Sequence, residues 1–533
     1  ILRNVTLCES TKNFQSGIVC GNMVDKAMAQ FDCQDPDTED FLHKGLQAMY
    51  KEWDGARLKS ALMQYGSCLT YEEELSDKDA AMLRRFFNKD SPVRNLYIRK
   101  VSHSAFRIAF HGQAEYPSLR EVFFHLIDCE GQDLGIDHCK VFEHVRSLDL
   151  ACINMGSGFA KEIASYIRET KSLEKLWLHL SCGGDEGVAA ILEALKESDT
   201  LKEVALFNMG SLTESLFGNH APPLSPNALA GFAEMLASNS SLELVDVRDA
   251  FPVKKEIVWS LLAQERHAGI FKRILVEWPE QLLPELTELI RKDACCPKLH
   301  VSVSFFIDRG ILQDFLDALL AHKLLLELHV YPPDETFLQF EHKLNALAEC
   351  IVSILKHTTT LRELYNCMPA DHCHLVSILN ALKGNRSVTS VTMDAEVLTG
   401  EVAKSLAELL AVNKTLIYVC ILYSTGDLPG QVRDVLQALR TNYTLNTLDF
   451  GLLADCYPLM GEVKALLERN VRLKNKAAEF VVSGADVSDE EAVYALTKVQ
   501  ASAALVERVQ ELTGKTTEEV LQEIHSALAR FPV

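Results

Sequence analysis

The 533-residue chain has no excess of positive charge: 53 Lys and Arg stand against 74 Asp and Glu, a formal net charge of −21. A nucleic-acid binder carries a basic footprint. The totals run the other way and point to a protein partner of neutral or basic character. No window of about 18 uncharged apolar residues exists, so no membrane span is expected. The most apolar stretch, Leu406 to Tyr423, is broken by Glu408, Asn413 and Lys414. No secretory apolar region opens the chain; it begins at Ile1 rather than Met, which leaves room for a segment upstream.

Zinc-ribbon and zinc-finger spacings are also missing, although there are 15 cysteines. Cys295 and Cys296 are adjacent, and His372-Cys373-His374 has no second ligand pair nearby. Free thiols in a reducing, cytoplasmic compartment are expected, with no metal ligand set and no cofactor. Catalytic signatures are lacking: there is no G-x-S-x-G, no H-E-x-x-H and no Cys/His nucleophile pair. Gly514-Lys515-Thr516 resembles the end of a phosphate-binding loop, but Val509 stands where its first glycine belongs, so the segment reads as a helix end and a cap. Gly156-Ser157-Gly158 falls where a repeat loop is expected, outside a dinucleotide-binding context. The expectation is a non-catalytic chain.

What is present is a period. Val145-x-x-Leu148-x-Leu150, Leu173-x-x-Leu176-x-Leu178 and Leu201-x-x-Val204-x-Leu206 begin 28 residues apart, with helical runs between them. A short strand paired with a helix at that interval is the pattern of a leucine-rich solenoid. The last two apolar residues of each motif alternate inward on a strand. Helices such as Ala160 to Ile167 turn one apolar stripe toward it. One unit cannot cover its own apolar face, whereas stacked units share a continuous core. Strand starts fall at Val93, Leu119, Val145, Leu173, Leu201, Leu242, Phe271, Cys296, Leu325, Leu361, Val388, Leu416 and Leu445. The two long intervals contain Gly218 to Pro226 and Tyr331 to Glu335, whose Pro and Gly content reads as inserted loops.

The ends differ from this pattern. Residues 1–90 show no repeat register; Phe41 to Trp53 and Lys78 to Phe87 have helical spacing, so a helical N-terminal cap region is expected. Residues 91–470 form a solenoid of about 13 repeats. Residues 471–533 form a helical C-terminal cap or small helical module, with acidic first-turn residues after Ser488 and a capping box at Thr516 to Glu519. Five N-x-[ST] sequons occur, at Asn4, Asn239, Asn385, Asn413 and Asn442. The last four each lie three residues before a strand start, and a repeated position favours a structural role over glycosylation. The role expected is a left-handed backbone that ends each helix, a conformation Asn tolerates.

Leu236-Ala-Ser-Asn-Ser-Ser-Leu-Glu-Leu-Val-Asp-Val247, Leu409 to Val419 and Leu439 to Leu448 resemble the ribonuclease-inhibitor type of leucine-rich repeat, found also in the repeat domains of NLR innate-immune receptors. The resemblance spans about Val93 to Asn470. It implies an α/β solenoid in the form of a horseshoe, with a parallel concave sheet and outer helices, and no NLR nucleotide-binding domain. The family's Asn or Cys three residues after the last apolar position is mostly replaced here, by Ile153, Ser181, Met209, Glu396 and Leu453.

The residue between the last two apolar positions of each strand points away from the core. That row reads Tyr97, Phe123, Asp149, Trp177, Ala205, Asp246, Leu275, His300, His329, Tyr365, Thr392, Cys420 and Asp449, with Phe207, Trp278, Tyr331 and Tyr423 just beyond the strands. Exposed aromatics are typical binding hot spots. The expected partner-binding residues are Tyr97, Phe123, Trp177, Phe207, Trp278, His329, Tyr331, Tyr365 and Tyr423. The function expected is a protein-interaction scaffold using its concave face. The alternatives are an enzyme regulator, either a ubiquitin-ligase substrate receptor or a leucine-rich GTPase-activating protein, and an NLR-like immune-sensor fragment. A secreted, glycosylated recognition protein is a further alternative.

Overall fold

The structure is a computed structural model that describes residues 68–530 less 87–92, 114, 128–132, 153–155, 180–183, 208–223, 226–227, 249, 251–252, 268, 305–306, 332–344, 368–371, 395–397, 423–427, 450–456 and 485–488. The helix expected at Phe41 to Trp53 and the sequon at Asn4 lie outside these residues. The described chain divides into two compact units, one running to Glu277 and including Ala294–Cys296, the other comprising Trp278–Asp293 and the residues from Pro297 onward.

The first unit carries a parallel sheet of eight strands in sequential order: β1 (Cys68–Leu75), β2 (Asn95–Ser102), β3 (Glu121–Ile127), β4 (Ser147–Cys152), β5 (Lys175–His179), β6 (Glu203–Phe207), β7 (Leu244–Asp246) and β8 (Ile274–Leu275). Parallel neighbours in sequential order need a crossover after each strand, all of one hand, which brings the helices to one face. Helices Asp77–Phe86, His103–Phe110, Ser157–Glu169, Gly184–Glu197, Ala228–Ser238 and Lys255–Leu262 supply most of these crossovers. After β3 the connection tightens into two 3₁₀ turns, Ile136–His138 and Lys140–Phe142. Phe106, Phe110, Phe124 and Phe142 pack together there, with ring centroids 5.1–6.1 Å apart.

The second unit holds a seven-stranded parallel sheet, β9 (Glu277–Pro279), β10 (Lys298–Ser302), β11 (Glu327–Tyr331), β12 (Glu363–Asn366), β13 (Ser390–Asp394), β14 (Tyr418–Leu422) and β15 (Thr447–Asp449), again in sequential order. Its helices run from Leu283–Arg291 to Leu428–Leu439. It ends in four helices, Tyr457–Ser483, Glu490–Val499, Ala503–Thr513 and Thr517–Leu528, around a core that includes Leu473, Phe480, Leu496, Leu505, Val509 and Ile524.

All thirteen expected strand starts lead into strands, and each is at most 4% exposed. The core is therefore the one the period describes. Three differences are local. β1 is a strand in a stretch expected to be helical; its Thr70, between Leu69 and Tyr71, pairs with Tyr97 of β2. β9 is an extra short strand with no separate repeat before it. Helix Tyr457–Ser483 runs unbroken through the boundary expected near residue 470. At the tail, Thr516 and Glu519 form the capping box, Asp489 rather than Ser488 caps its helix, and Gly514 is a left-handed helix end with φ of 70°.

The four sequon asparagines are structural, by a different device from the one expected. Asn239, Asn385, Asn413 and Asn442 are 2–4% exposed. In each, Oδ1 accepts from the backbone N–H three residues on, that of Leu242, Val388, Leu416 or Leu445. Each Nδ2 donates back to the preceding repeat, to the carbonyl of Leu195, Leu355, Leu382 or Leu410. Asn413 has an extended backbone with φ of −76°. Among the described non-glycine residues only Asp293, at the same position before Cys296, has positive φ, 51°. Thr358 and Ser198 fill the position elsewhere, each accepting from the N–H three residues on. The side chain, not a left-handed backbone, therefore pairs the polar groups that the helix-to-strand turn exposes.

Candidate partner-binding face

The row expected to point away from the core forms a lateral line in each sheet. In the first unit the paired residues are Tyr97, Phe123, Asp149, Trp177, Ala205, Asp246 and Leu275, one per strand from β2 to β8. In the second they are His300, His329, Tyr365, Thr392, Cys420 and Asp449, from β10 to β15. Inward neighbours such as Leu148, Leu176 and Val204 are fully buried. Period-2 alternation turns the row to the opposite face.

The rows differ in how open they are. Tyr97, Phe123 and Trp177 are half-buried. The Tyr97 and Phe123 rings lie 6.4 Å apart, and the Tyr97 hydroxyl donates to Glu121 at 3.0 Å. Trp177 has Asp149 on one side and the small Ala205 on the other. Farther along, Asp246 and Arg248 form a bidentate ion pair, with N–O distances of 2.8 and 2.6 Å, that is itself buried.

In the second unit the expectation of open rings needs correction. His329 and Tyr365 are 6% and 4% exposed, and Trp278, on β9, is 3% exposed. In-register strands lie about 4.8 Å apart, so each side chain in the row is covered by its lateral neighbours. The His329 ring stacks on Tyr365 at 5.1 Å with an interplanar angle of 14°, and lies 3.8 Å from the His300 ring. Tyr331, two residues beyond His329, is half-buried. Phe207 pairs laterally with His179, but its side chain is not among those described, and Tyr423 lies outside the described residues.

Below this row a second line of charged residues pairs strand to strand. Lys175 meets Glu203 at 3.3 Å in the first unit, and Lys298 meets Glu327 at 2.6 Å in the second. His329 Nε2 meets Glu363 at 3.0 Å. His300, Glu327 and His329 bring one ligand atom each to within 4.8 Å of one another, and they are the one such metal-capable group among the described residues. Sequence spacing did not reveal it, because the ligands come from two strands 29 residues apart in register. The signal was there in the row itself, which places His300 beside His329.

Among the described cysteines, Cys139, Cys295, Cys296, Cys350, Cys367 and Cys420 are buried free thiols, and Cys373 is exposed. Burial pushes the Cys139 and Cys350 thiols up to about 12, helped by Glu162 and Asp317 respectively, which leaves them protonated and unreactive. No helix among the described residues is long and apolar enough to cross a membrane.

Sequentially ordered parallel strands with returning helices make each unit an α/β solenoid of leucine-rich-repeat build. No protein-family profile and no curated protein matches the chain. Among solved structures it is similar to the leucine-rich repeat-containing protein LegL7 from Legionella pneumophila, at 13% identity over 70% of this chain and 97% of that one, with a TM-score of 0.32.

Proposed function

We propose that the chain is a non-catalytic scaffold that binds a protein partner on the sheet face turned away from its helices. The observation that supports this most is the half-open aromatic row Tyr97, Phe123 and Trp177, held at one level on β2, β3 and β5 by strand register. Rings fixed by a rigid sheet lose little conformational freedom on binding, and truncating such anchors costs about 2 kcal/mol or more at protein interfaces. The net charge of −21 favours a neutral or basic protein over nucleic acid. The resemblance to ribonuclease-inhibitor-type repeats agrees with a cytoplasmic recognition role. Regulation of an enzyme, whether a ubiquitin ligase or a GTPase, is a narrower form of the same reading.

The test is capture from a lysate of the source cells, comparing wild type with Phe123→Ala/Trp177→Ala after its folding is checked by circular dichroism. A partner held by wild type and reduced at least about 30-fold in affinity by the variant supports the face. Equal capture by both moves binding to the caps or inserted loops and overturns the reading.

A further inference from the structure

His300, Glu327 and His329 sit on adjacent strands of the second sheet. Register sets His300 on β10 directly beside His329 on β11. Glu327 is two residues before His329 on the same strand, hence on the same face. Their three ligand atoms lie within 4.8 Å of one another.

We propose that these three side chains bind a divalent transition metal of the zinc class. Two imidazole nitrogens and one carboxylate oxygen are the donor set of three-ligand zinc sites, in which a fourth position is left for water or an incoming group. The two imidazoles are 2% and 6% exposed and lie 3.8 Å apart, centroid to centroid.

The surroundings suit a cation. Glu363 Oε1 stands 3.0 Å from His329 Nε2, and the Tyr365 ring stacks against the same imidazole. That approach is a charge contact without hydrogen-bond geometry, and it adds negative potential beside the ring pair. Lys298 reaches Glu327 Oε1 at 2.6 Å, which leaves that carboxylate's second oxygen for a metal. Glu327 and Glu363 against Lys298 leave a formal charge of −1 around the ring pair. Sequence-level zinc spacing fails here because the ligands are assembled by strand pairing rather than by a loop.

The experiment uses the full chain, stripped with a chelator and titrated with Zn²⁺ by calorimetry and with Co²⁺ by visible absorption. Because 15 cysteines can bind metal on their own, the reading is the difference between variants. Wild type should take one more equivalent than His300→Ala or His329→Ala. Its Co²⁺ spectrum should show tetrahedral bands without thiolate charge transfer for that equivalent, and Cys373→Ser should leave it in place. Glu363→Gln removes a negative charge 3.0 Å from His329 Nε2 and should weaken the site several-fold. If the histidine variants fail to fold, Glu327→Gln, at a half-buried position, provides the same comparison. Equal stoichiometry in wild type and the ligand variants, no binding by wild type, or a thiolate spectrum for the extra equivalent would overturn the proposal.

Discussion

At Asn413 one buried carboxamide serves two repeats. Its Oδ1 accepts from the N–H groups of Thr415 and Leu416, both at 2.8 Å, and its Nδ2 donates to the carbonyls of Leu382 at 2.9 Å and Asn385 at 3.3 Å. The turn from helix Gly400–Val412 into β14 therefore leaves none of these four groups bare. An N-linked sugar on Nδ2 would have to break the donor bonds and find room at 2% exposure. The burial and the donor bonds both favour a structural role for the sequon at this position. Asn413→Ala strips partners from several buried backbone groups, each costing about 1–3 kcal/mol when left unpaired. A loss on the order of 3 kcal/mol in urea unfolding is expected. An unchanged midpoint would mean that water takes over the amide's role.

Between elements, Glu162 ties a turn to a helix. It lies on helix Ser157–Glu169, and its carboxylate accepts from the backbone N–H of Leu134 at 2.9 Å and from that of Ile136. Burial pushes its carboxyl up to about 7 from its ordinary value of about 4.5, with Asp137 and Asp133 adding to the rise and the two N–H bonds opposing it. The folded state then holds a proton that the unfolded chain releases between those values. Stability from this group is full below about 4.5 and is lost as pH rises through about 7, by on the order of 2–3 kcal/mol. Urea unfolding at several pH values should show a steeper decline from pH 5 to 7 in wild type than in Glu162→Gln, and parallel slopes would mean that the carboxyl titrates normally. No sequence pattern announces this tether, because it joins residues 26 and 28 apart through a turn that replaces a helix. The strands were legible for the opposite reason. Each start, from Val93 to Leu445, is an apolar residue whose burial any stacking requires, so the period survives every substitution at exposed positions. β1 escaped because Thr70 stands between Leu69 and Tyr71, and Glu72, Glu73 and Glu74 hide the alternation. The row of candidate contacts was legible in register but not in exposure, since Tyr365 and His329 are covered by neighbours that sequence cannot weigh.

At the scale of the molecule, a stack of repeats has no single centre whose loss must be felt everywhere. Each strand bonds to the two beside it, and each helix packs mainly on the next; stability is then close to a sum of repeat and interface terms. Leu176 is fully buried on β5, between Leu148 and Val204 in register. Leu176→Asp removes about 1.5–3 kcal/mol of burial and places a carboxylate where no partner waits. Native-state hydrogen exchange should show protection falling in β4, β5, β6 and helices Ser157–Glu169 and Gly184–Glu197. β12, β13 and β14, in the other compact unit, should keep theirs. Protection lost evenly across both sheets would mean one cooperative block, as in a small two-state domain. Protection lost nowhere would mean that the strand register itself is wrong, since a buried aspartate at that position cannot go unnoticed.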